Sequence, residues 1–206
     1  QQGVFSGNMI LLAHSYFLGN DPKQLERMKP YPPLATLLVA EVTRRHGHEV
    51  AFFDATFADG VDAFIATLDE VRPSVVGILE DNFNFLTKMC TIRAREATLA
   101  MVSAAADRGC RIAVNGSDAS DHPGLYLAAG ADAVITGEPE LTFVALADAW
   151  ARDNSASLAE IDGLILISTM RTGFSWSDSS RTSSSIGNFF ARICSAIWLM
   201  IFSPDT

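Results

Sequence analysis

Five short apolar runs recur along the first two thirds of the chain. They are Met9-Ile10-Leu11-Leu12-Ala13, Val50-Ala51-Phe52-Phe53, Val75-Val76-Gly77-Ile78-Leu79, Arg111-Ile112-Ala113-Val114 and Ala133-Val134-Ile135. A continuous apolar run bounded by polar or turn residues is the pattern of a strand buried on both faces. Helical patterns lie between the runs. Residues 34–46 end in Arg44-Arg45 followed by Gly47, basic residues in the last turn and a glycine at the cap. Val61, Phe64, Ile65, Leu68 and Val71 form one stripe at helical spacing. A longer helix is expected from about Thr87 to Arg108, stopped by Gly109, and another carries Phe143, Leu146, Ala147 and Trp150 and is entered through Pro139. Strands alternating with helices predict an α/β domain, a doubly wound parallel five-stranded sheet over roughly residues 8–150.

In such a sheet ligands bind beyond the carboxyl ends of the strands, where the strand order reverses. That places the functional search in five loops, residues 14–33, 54–60, 80–86, 115–123 and 136–140. Beyond the fold the pattern changes. Eleven of the eighteen residues in 168–185 are Ser or Thr, too polar to bury the apolar area that ordering requires, so a poorly ordered linker is expected. Residues 189–202 (FFARICSAIWLMIF) are apolar apart from Arg192 and Ser195. This stretch is short of the roughly 20 residues that span a bilayer. It is expected either to dock on the α/β domain or to be a truncated or aberrant end of a longer protein.

Composition narrows the function classes. The 206 residues are 49% hydrophobic and 19% charged with a formal net charge of −9, which fits a folded domain and excludes a wholly disordered chain. The twelve Arg and three Lys form no basic run, and an acidic chain is repelled by phosphate backbones, so no nucleic-acid partner is expected. The chain begins Gln1-Gln2-Gly3 without Met and without a basic segment leading into an apolar one. That argues against secretion and for a start inside a longer reading frame. Cys90, Cys110 and Cys194 are too few and too scattered for a disulfide framework, and the expectation is reduced thiols in a cytoplasmic protein.

Several chemistries fail on spacing. A dinucleotide site needs G-x-G-x-x-G after the first strand so that backbone amides meet a pyrophosphate. The loop Ala13-His14-Ser15-Tyr16-Phe17-Leu18-Gly19-Asn20 has one glycine, although Asp54 stands where a ribose-binding acid would; otherwise Asp54 is a loop or cap residue. A phospho-receiver needs a Lys after the fifth strand, where Thr136-Gly137-Glu138 stands. No G-x-S-x-G elbow and no clustered Cys/His spacing occurs, so neither a serine hydrolase nor a metal site built from protein ligands is expected. His14 faces the ligand side of the first strand, His46 and His48 are read as solvent-facing, and His122 either joins the fourth loop's polar set or caps the next helix.

Two loops stand out. Glu80-Asp81-Asn82-Phe83-Asn84-Phe85 sets two acids, two amides and two aromatics directly after a buried strand, a combination able to hydrogen-bond amide groups and pack on a flat ring. Alternatively, Asp81 or Asn82 caps the next helix while Phe83 and Phe85 staple it. Asn115-Gly116-Ser117-Asp118 joins a glycine that permits close backbone approach to small polar side chains, and is equally compatible with an ordinary turn.

Taken together, five segments resemble one family: Pro32-Pro33-Leu34-Ala35; Arg45-His46-Gly47-His48-Glu49-Val50 with Asp54 after it; Arg72-Pro73-Ser74-Val75-Val76-Gly77-Ile78; Val114-Asn115-Gly116-Ser117; and Ala129-Gly130-Ala131-Asp132-Ala133-Val134-Ile135-Thr136-Gly137-Glu138-Pro139-Glu140. The chain resembles the N-terminal cobalamin-binding domain of cobalamin-dependent radical S-adenosylmethionine enzymes over about residues 8–165, with 166–206 as a separate tail. The Gly-Ala-Asp-Ala-Val-x-x-Gly-Glu-x-Glu string is the most diagnostic piece, and Ile161-Asp162-Gly163-Leu164 resembles the exit toward a catalytic barrel. The resemblance implies a Rossmann-like, flavodoxin-like sheet and a cobalamin cofactor lying over the carboxyl ends of the strands. It assigns cofactor contacts to His14 and Ser15, to Glu80, Asp81, Asn82, Phe83 and Asn84, to Asn115, Gly116 and Ser117, and to Gly137 and Glu138.

Departures refine the expectation. The D-x-H-x-x-G sequence of domains that place a histidine on cobalt does not occur after the first strand, so a histidine-ligated cobalt is not expected. The glycine pair usual after the fourth strand is Asn115-Gly116 here. The C-x-x-x-C-x-x-C motif that ligates three irons of a four-iron cluster is absent from the chain. The chain is therefore expected to bind a corrinoid without cleaving S-adenosylmethionine by itself, as a module of an enzyme for methyl transfer or related radical chemistry. The competing expectation is a degenerate α/β interaction domain without cofactor, associating through residues 189–202.

Overall fold

Each predicted apolar run is a strand. In the computed structural model, which describes residues 9–28, 30–80, 91–153 and 155–166, β1 is Ile10–Ala13, β2 Val50–Phe53, β3 Val75–Leu79, β4 Arg111–Asn115 and β5 Ala133–Ile135. A sixth strand, β6, is Leu164–Leu166. The order across the sheet is β2-β1-β3-β4-β5-β6. All neighbours are parallel except β5 and β6, where Val134 faces Ile165 in an antiparallel pair.

The sixth strand corrects the five-stranded expectation. Residues 161–164 lead back onto the sheet, because β5 would otherwise expose a row of unpaired backbone groups. Gly163 turns the chain with φ +81°, and Thr136 donates its backbone amide to the Gly163 carbonyl at 2.8 Å. The apolar run Leu164-Ile165-Leu166 is as long as β5, and sequence reading passed over it by placing residues 161–164 at the exit from the domain.

Among the described residues seven α-helices flank the sheet: α1 Pro22–Arg27, α2 Leu34–Arg45, α3 Val61–Val71, α4 Thr91–Ala106, α5 Ser117–Asp121, α6 Pro123–Ala128 and α7 Pro139–Ala151. The short helices α1 and α5 occupy stretches expected to be loops, and α6 is the helix anticipated after His122. Each is set by local chemistry rather than by an apolar stripe. Asp21 accepts the Gln24 amide at the start of α1, and prolines open α1 and α6. The onset of the longer helix at Thr87, and the expectations for residues 168–185 and 189–202, lie outside the described residues.

Alternation along the central strands sorts the core into two layers. Leu11, Val76, Ile78, Ile112 and Val114 pack with Phe64, Leu68, Met101, Val102 and Tyr126 of α3, α4 and α6. Ile10, Leu12, Val75 and Ala113 pack with Val39, Phe143 and Leu146 of α2 and α7. Gly77 is required by the second layer: a Cβ there would lie 2.6 Å from Leu12 Cδ2 and 2.7 Å from the Phe143 ring. The missing side chain lets α7 sit close against β3, and truncating Phe143 to alanine would remove about 3–5 kcal/mol.

Candidate functional site at the carboxyl ends of the strands

The chain order β2-β1-β3 makes the gap between β1 and β3 the switch point, since the connections leaving these strands run to opposite sides. His14 and Ser15 follow β1, and Glu80 follows β3. The Ser15 hydroxyl donates to Glu80 Oε1 at 3.4 Å, spanning the switch point. Glu80 also joins the next strand, because its amide donates to the Asn115 carbonyl at 2.9 Å. Asn115 in turn donates through Nδ2 to the carbonyls of Ile135 and Gly137, both at 3.0 Å. A continuous polar tie therefore runs across the ends of β1, β3, β4 and β5.

Gly116 is the tightest point of this tie. Its φ of +153° favours glycine, and a Cβ there would come within 2.6 Å of Glu80 Oε2 and 2.8 Å of Glu80 Cβ. The close approach that the sequence allowed at Gly116 is thus made by Glu80. Gly137, with φ +75°, is exposed, and a Cβ there would meet nothing within 4 Å. Ser15 and Asn115 are buried, Ser117 is partly exposed, and Glu138 is exposed at the start of α7. Small residues thus end β1, β4 and β5, and open space lies over Gly137. This chemistry fits a flat ring with amide side arms.

His14 is held inside the structure. Its residue is 1% exposed, Nε2 lies 2.9 Å from Asp54 Oδ1, and Nδ1 accepts the Tyr16 amide at 3.3 Å. The Ala55 amide also donates to Nε2 at 3.1 Å, so three contacts hold the ring between the loops after β1 and β2. Its ring stacks on Phe52 with centroids 6.5 Å apart. The hydrogen bond from His14 pulls the Asp54 carboxyl well below the ordinary carboxylate range, with partial burial opposing and the Thr56 amide reinforcing. Asp54 is a loop residue that clamps β2 to β1. With both ring nitrogens engaged, His14 shapes the loop and offers no free lone pair.

Beneath Gly116 lies a cluster that sequence reading left unassembled. Arg95 of α4 makes a two-pronged contact with Asp118 of α5, Nε to Oδ2 at 2.7 Å and Nη2 to Oδ1. The hydroxyl of Tyr126, fully buried in α6, donates to Asp118 Oδ2 at 2.5 Å. Burial pushes the Asp118 carboxyl up, and the hydrogen bonds from Arg95 and Tyr126 outweigh it, so the group stays below its ordinary value. The bond to Asp118 pushes Arg95 above its usual value; burial, then its own hydrogen bond to Asp118, pushes Tyr126 up.

Glu80 has no such cation. Among its described contacts Oε1 receives the hydroxyls of Ser15 and Thr98, each at 3.4 Å, the Thr98 hydroxyl being shared with the Ala94 carbonyl at 2.9 Å. Part of the residue's outer edge reaches solvent, yet the carboxyl is enclosed between these hydroxyls and the Gly116 turn. Burial, followed by the nearby Asp118 charge, pushes the Glu80 carboxyl up to about 7, against the pull of Ser15, Thr98 and Arg95.

Of the residues the resemblance assigned, the structure gathers Ser15, Glu80, Asn115, Gly116 and Gly137 into one tie, with His14 anchored beside it and Ser117 and Glu138 at its margin. Asp81, Asn82, Phe83 and Asn84 lie outside the described residues. Arg95, Thr98 and Tyr126 were missed. A signal existed for the first: positions 95, 98, 102 and 105 share one helical face, and Thr98, Val102 and Ala105 are all buried, so an arginine on that face requires a partner. His48 departs from the solvent-facing expectation, since its Nε2 lies 2.8 Å from Asp148 Oδ1 where α2 packs on α7. His122 opens α6 without a side-chain cap bond, and its Nδ1 lies 3.8 Å from Asp118 Oδ1. A cavity of about 510 Å³ lined by Leu68, Asp69, Arg72, Pro73, Arg108 and Cys110 lies at the opposite, amino ends of β3 and β4.

Comparison with known proteins agrees with this geometry. The B12 binding domain matches residues 26–147. The fold is similar to the radical S-adenosylmethionine methyltransferase TsrM from Kitasatospora setae, solved with tryptophan substrate and an S-adenosylmethionine analogue, at 21% identity and TM-score 0.58, covering 77% of this chain and 28% of that one. It is likewise similar to the cobalamin-dependent S-adenosylmethionine radical enzyme OxsB, solved with aqua-cobalamin and S-adenosylmethionine bound, at 16% identity and TM-score 0.58, covering 79% of this chain and 21% of that one. The chain thus spans about a quarter of the length of these enzymes. No curated protein matches the sequence. Among the described residues, no helix is long and apolar enough to cross a membrane. A match running from α1 into α7, over more than half of the chain and across the loops after β3, β4 and β5, makes the chain a member of the B12-binding domain family.

Proposed function

We propose that this chain is a corrinoid-binding module that holds cobalamin over the carboxyl ends of β1, β3, β4 and β5. The observation that carries the reading is the coincidence of the family match, residues 26–147, with the polar tie made by Glu80, Asn115, Gly116 and Gly137 beside the switch point. Small residues leave room for a planar macrocycle, and backbone groups of the loops after β4 and β5 are within reach of its amide side arms. Ser15, Ser117, Gly137 and Glu138 are the contact residues we assign. His14 supports the first loop from below through Asp54 and stays off the cobalt.

A bound cobalamin supplies a cobalt centre able to carry a methyl group. The part this chain plays is to bind the corrinoid, orient it and shield one face from water. In a longer protein the module serves radical S-adenosylmethionine chemistry such as methyl transfer, a reading supported by the fold shared with TsrM and OxsB. The iron–sulfur cluster that such chemistry needs belongs to another segment, since C-x-x-x-C-x-x-C is absent here. Equilibrium dialysis of the full chain against hydroxocobalamin tests the binding: about one corrinoid retained per chain with a shifted visible spectrum is expected, and no retention overturns the proposal.

A further inference from the structure

We infer that Glu80 is a proton-dependent positioning residue, whose uncharged form locks the end of β3 against the Gly116 turn and whose ionisation loosens that turn and weakens corrinoid binding. The inference rests on the corrinoid reading for its functional consequence and on geometry alone for the switch. Glu80 Oε2 lies against Gly116 Cα, in the space a side chain would fill. One residue earlier, Asn115 ties the same loop to Ile135 and Gly137, so a movement at Gly116 passes directly to the proposed shelf.

The charges facing Glu80 decide the direction. From α5 comes Asp118, a carboxylate kept ionised by Arg95 of α4 and Tyr126 of α6. Arg95 places two nitrogens on Asp118 and none within hydrogen-bond distance of Glu80 among its described contacts. His122 approaches the far side of Asp118 at 3.8 Å. From the β1 side come the Ser15 hydroxyl and, one residue back, His14, already paired with Asp54. From α4 comes the Thr98 hydroxyl. Among the described residues an ionised Glu80 therefore meets the Asp118 carboxylate, two long hydroxyl contacts and no hydrogen-bonded cation, so burial and repulsion from Asp118 oppose its charge beside Gly116. Consistent with this, the carboxyl titrates near neutrality, at about 7.

The experiment uses the full chain and two readouts from pH 5.5 to 8.5. The first, without ligand, is backbone amide exchange over residues 115–121, corrected for the intrinsic rise with pH. The second is retention of methylcobalamin, whose cobalt carries no titratable water. If only the uncharged form binds well, the apparent Kd rises about tenfold from pH 6 to pH 8. Glu80→Gln should flatten both profiles and keep the low-pH affinity. Thr98→Val removes a donor to the carboxylate and should move the midpoint to higher pH, a shift that a purely structural role would not produce. His122→Asn should leave both profiles as in the wild type. A wild-type exchange profile without a step, a step that persists in Glu80→Gln, or one abolished by His122→Asn overturns the inference. Absence of methylcobalamin retention at every pH defeats the corrinoid reading and leaves the exchange profile to judge Glu80.

Discussion

Replacing Gly116 by alanine probes the junction of β3 and β4 most directly. Two costs add. The backbone there has φ +153° and ψ 166°, a region that only glycine occupies freely, at about 1–3 kcal/mol for another residue. The new methyl group would also lie 2.6 Å from Glu80 Oε2, 2.8 Å from its Cβ and 3.2 Å from its Cδ, an overpacking worth about 1–3 kcal/mol. The expected loss is about 2–6 kcal/mol, a large fraction of the roughly 5–15 kcal/mol that holds a domain together. Urea unfolding followed by circular dichroism measures it, and an unchanged m-value shows that the unfolded state is unaltered. A Glu80→Ala background then divides the loss, because it removes the two outer contacts and leaves the Cβ contact. A coupling of about 1–2 kcal/mol is expected from the double-mutant cycle, with the backbone cost persisting. A loss below about 0.5 kcal/mol for Gly116→Ala, or a coupling of zero, would refute the packing of Glu80 beneath this turn.

Two further outcomes follow from the cluster and from the clamp. Arg95→Ala leaves Asp118, whose side chain is 8% exposed, without its cation, and a loss of about 3–5 kcal/mol is expected by chemical denaturation, against about 1–2 kcal/mol for Tyr126→Phe. Equal losses for the two would show that the ion pair has no special weight. Asp54 is held below its ordinary value of 3.8, so its contribution is complete above that pH and is lost as acid titrates the folded state. Asp54→Asn should flatten the acid limb of stability measured from pH 5 downward, and an unchanged limb would remove the clamp from the account.

Arg95 and His48 show why sequence reading reached the fold more completely than the site. Four of the five apolar runs become largely buried strands, as their composition states, while the edge strand β2 departs from that expectation with Phe52 exposed. An arginine on an inner helical face states only that a partner is required. Its partner, Asp118, is 23 residues away and reaches it only because α4 and α5 pack on the same side of the sheet. Similarly, His48 is followed by Glu49 in a polar stretch that reads as surface, while its partner Asp148 comes from a helix a hundred residues later.

By itself, the order of residues determined the strand and helix sequence, the five loops able to meet a ligand, and the Gly-Ala-Asp-Ala-Val string that marked the family. These are local or periodic properties, written wherever burial repeats at the period of an element. Only the tertiary structure decided that Glu80 and Gly116 interlock, that β6 returns antiparallel to close the β5 edge, and that His14 has both nitrogens engaged. Those outcomes depend on which side chains converge from distant segments. A carboxyl group's charge at neutral pH is set by that convergence, by burial and neighbouring charge in three dimensions, and no spacing along the chain encodes it.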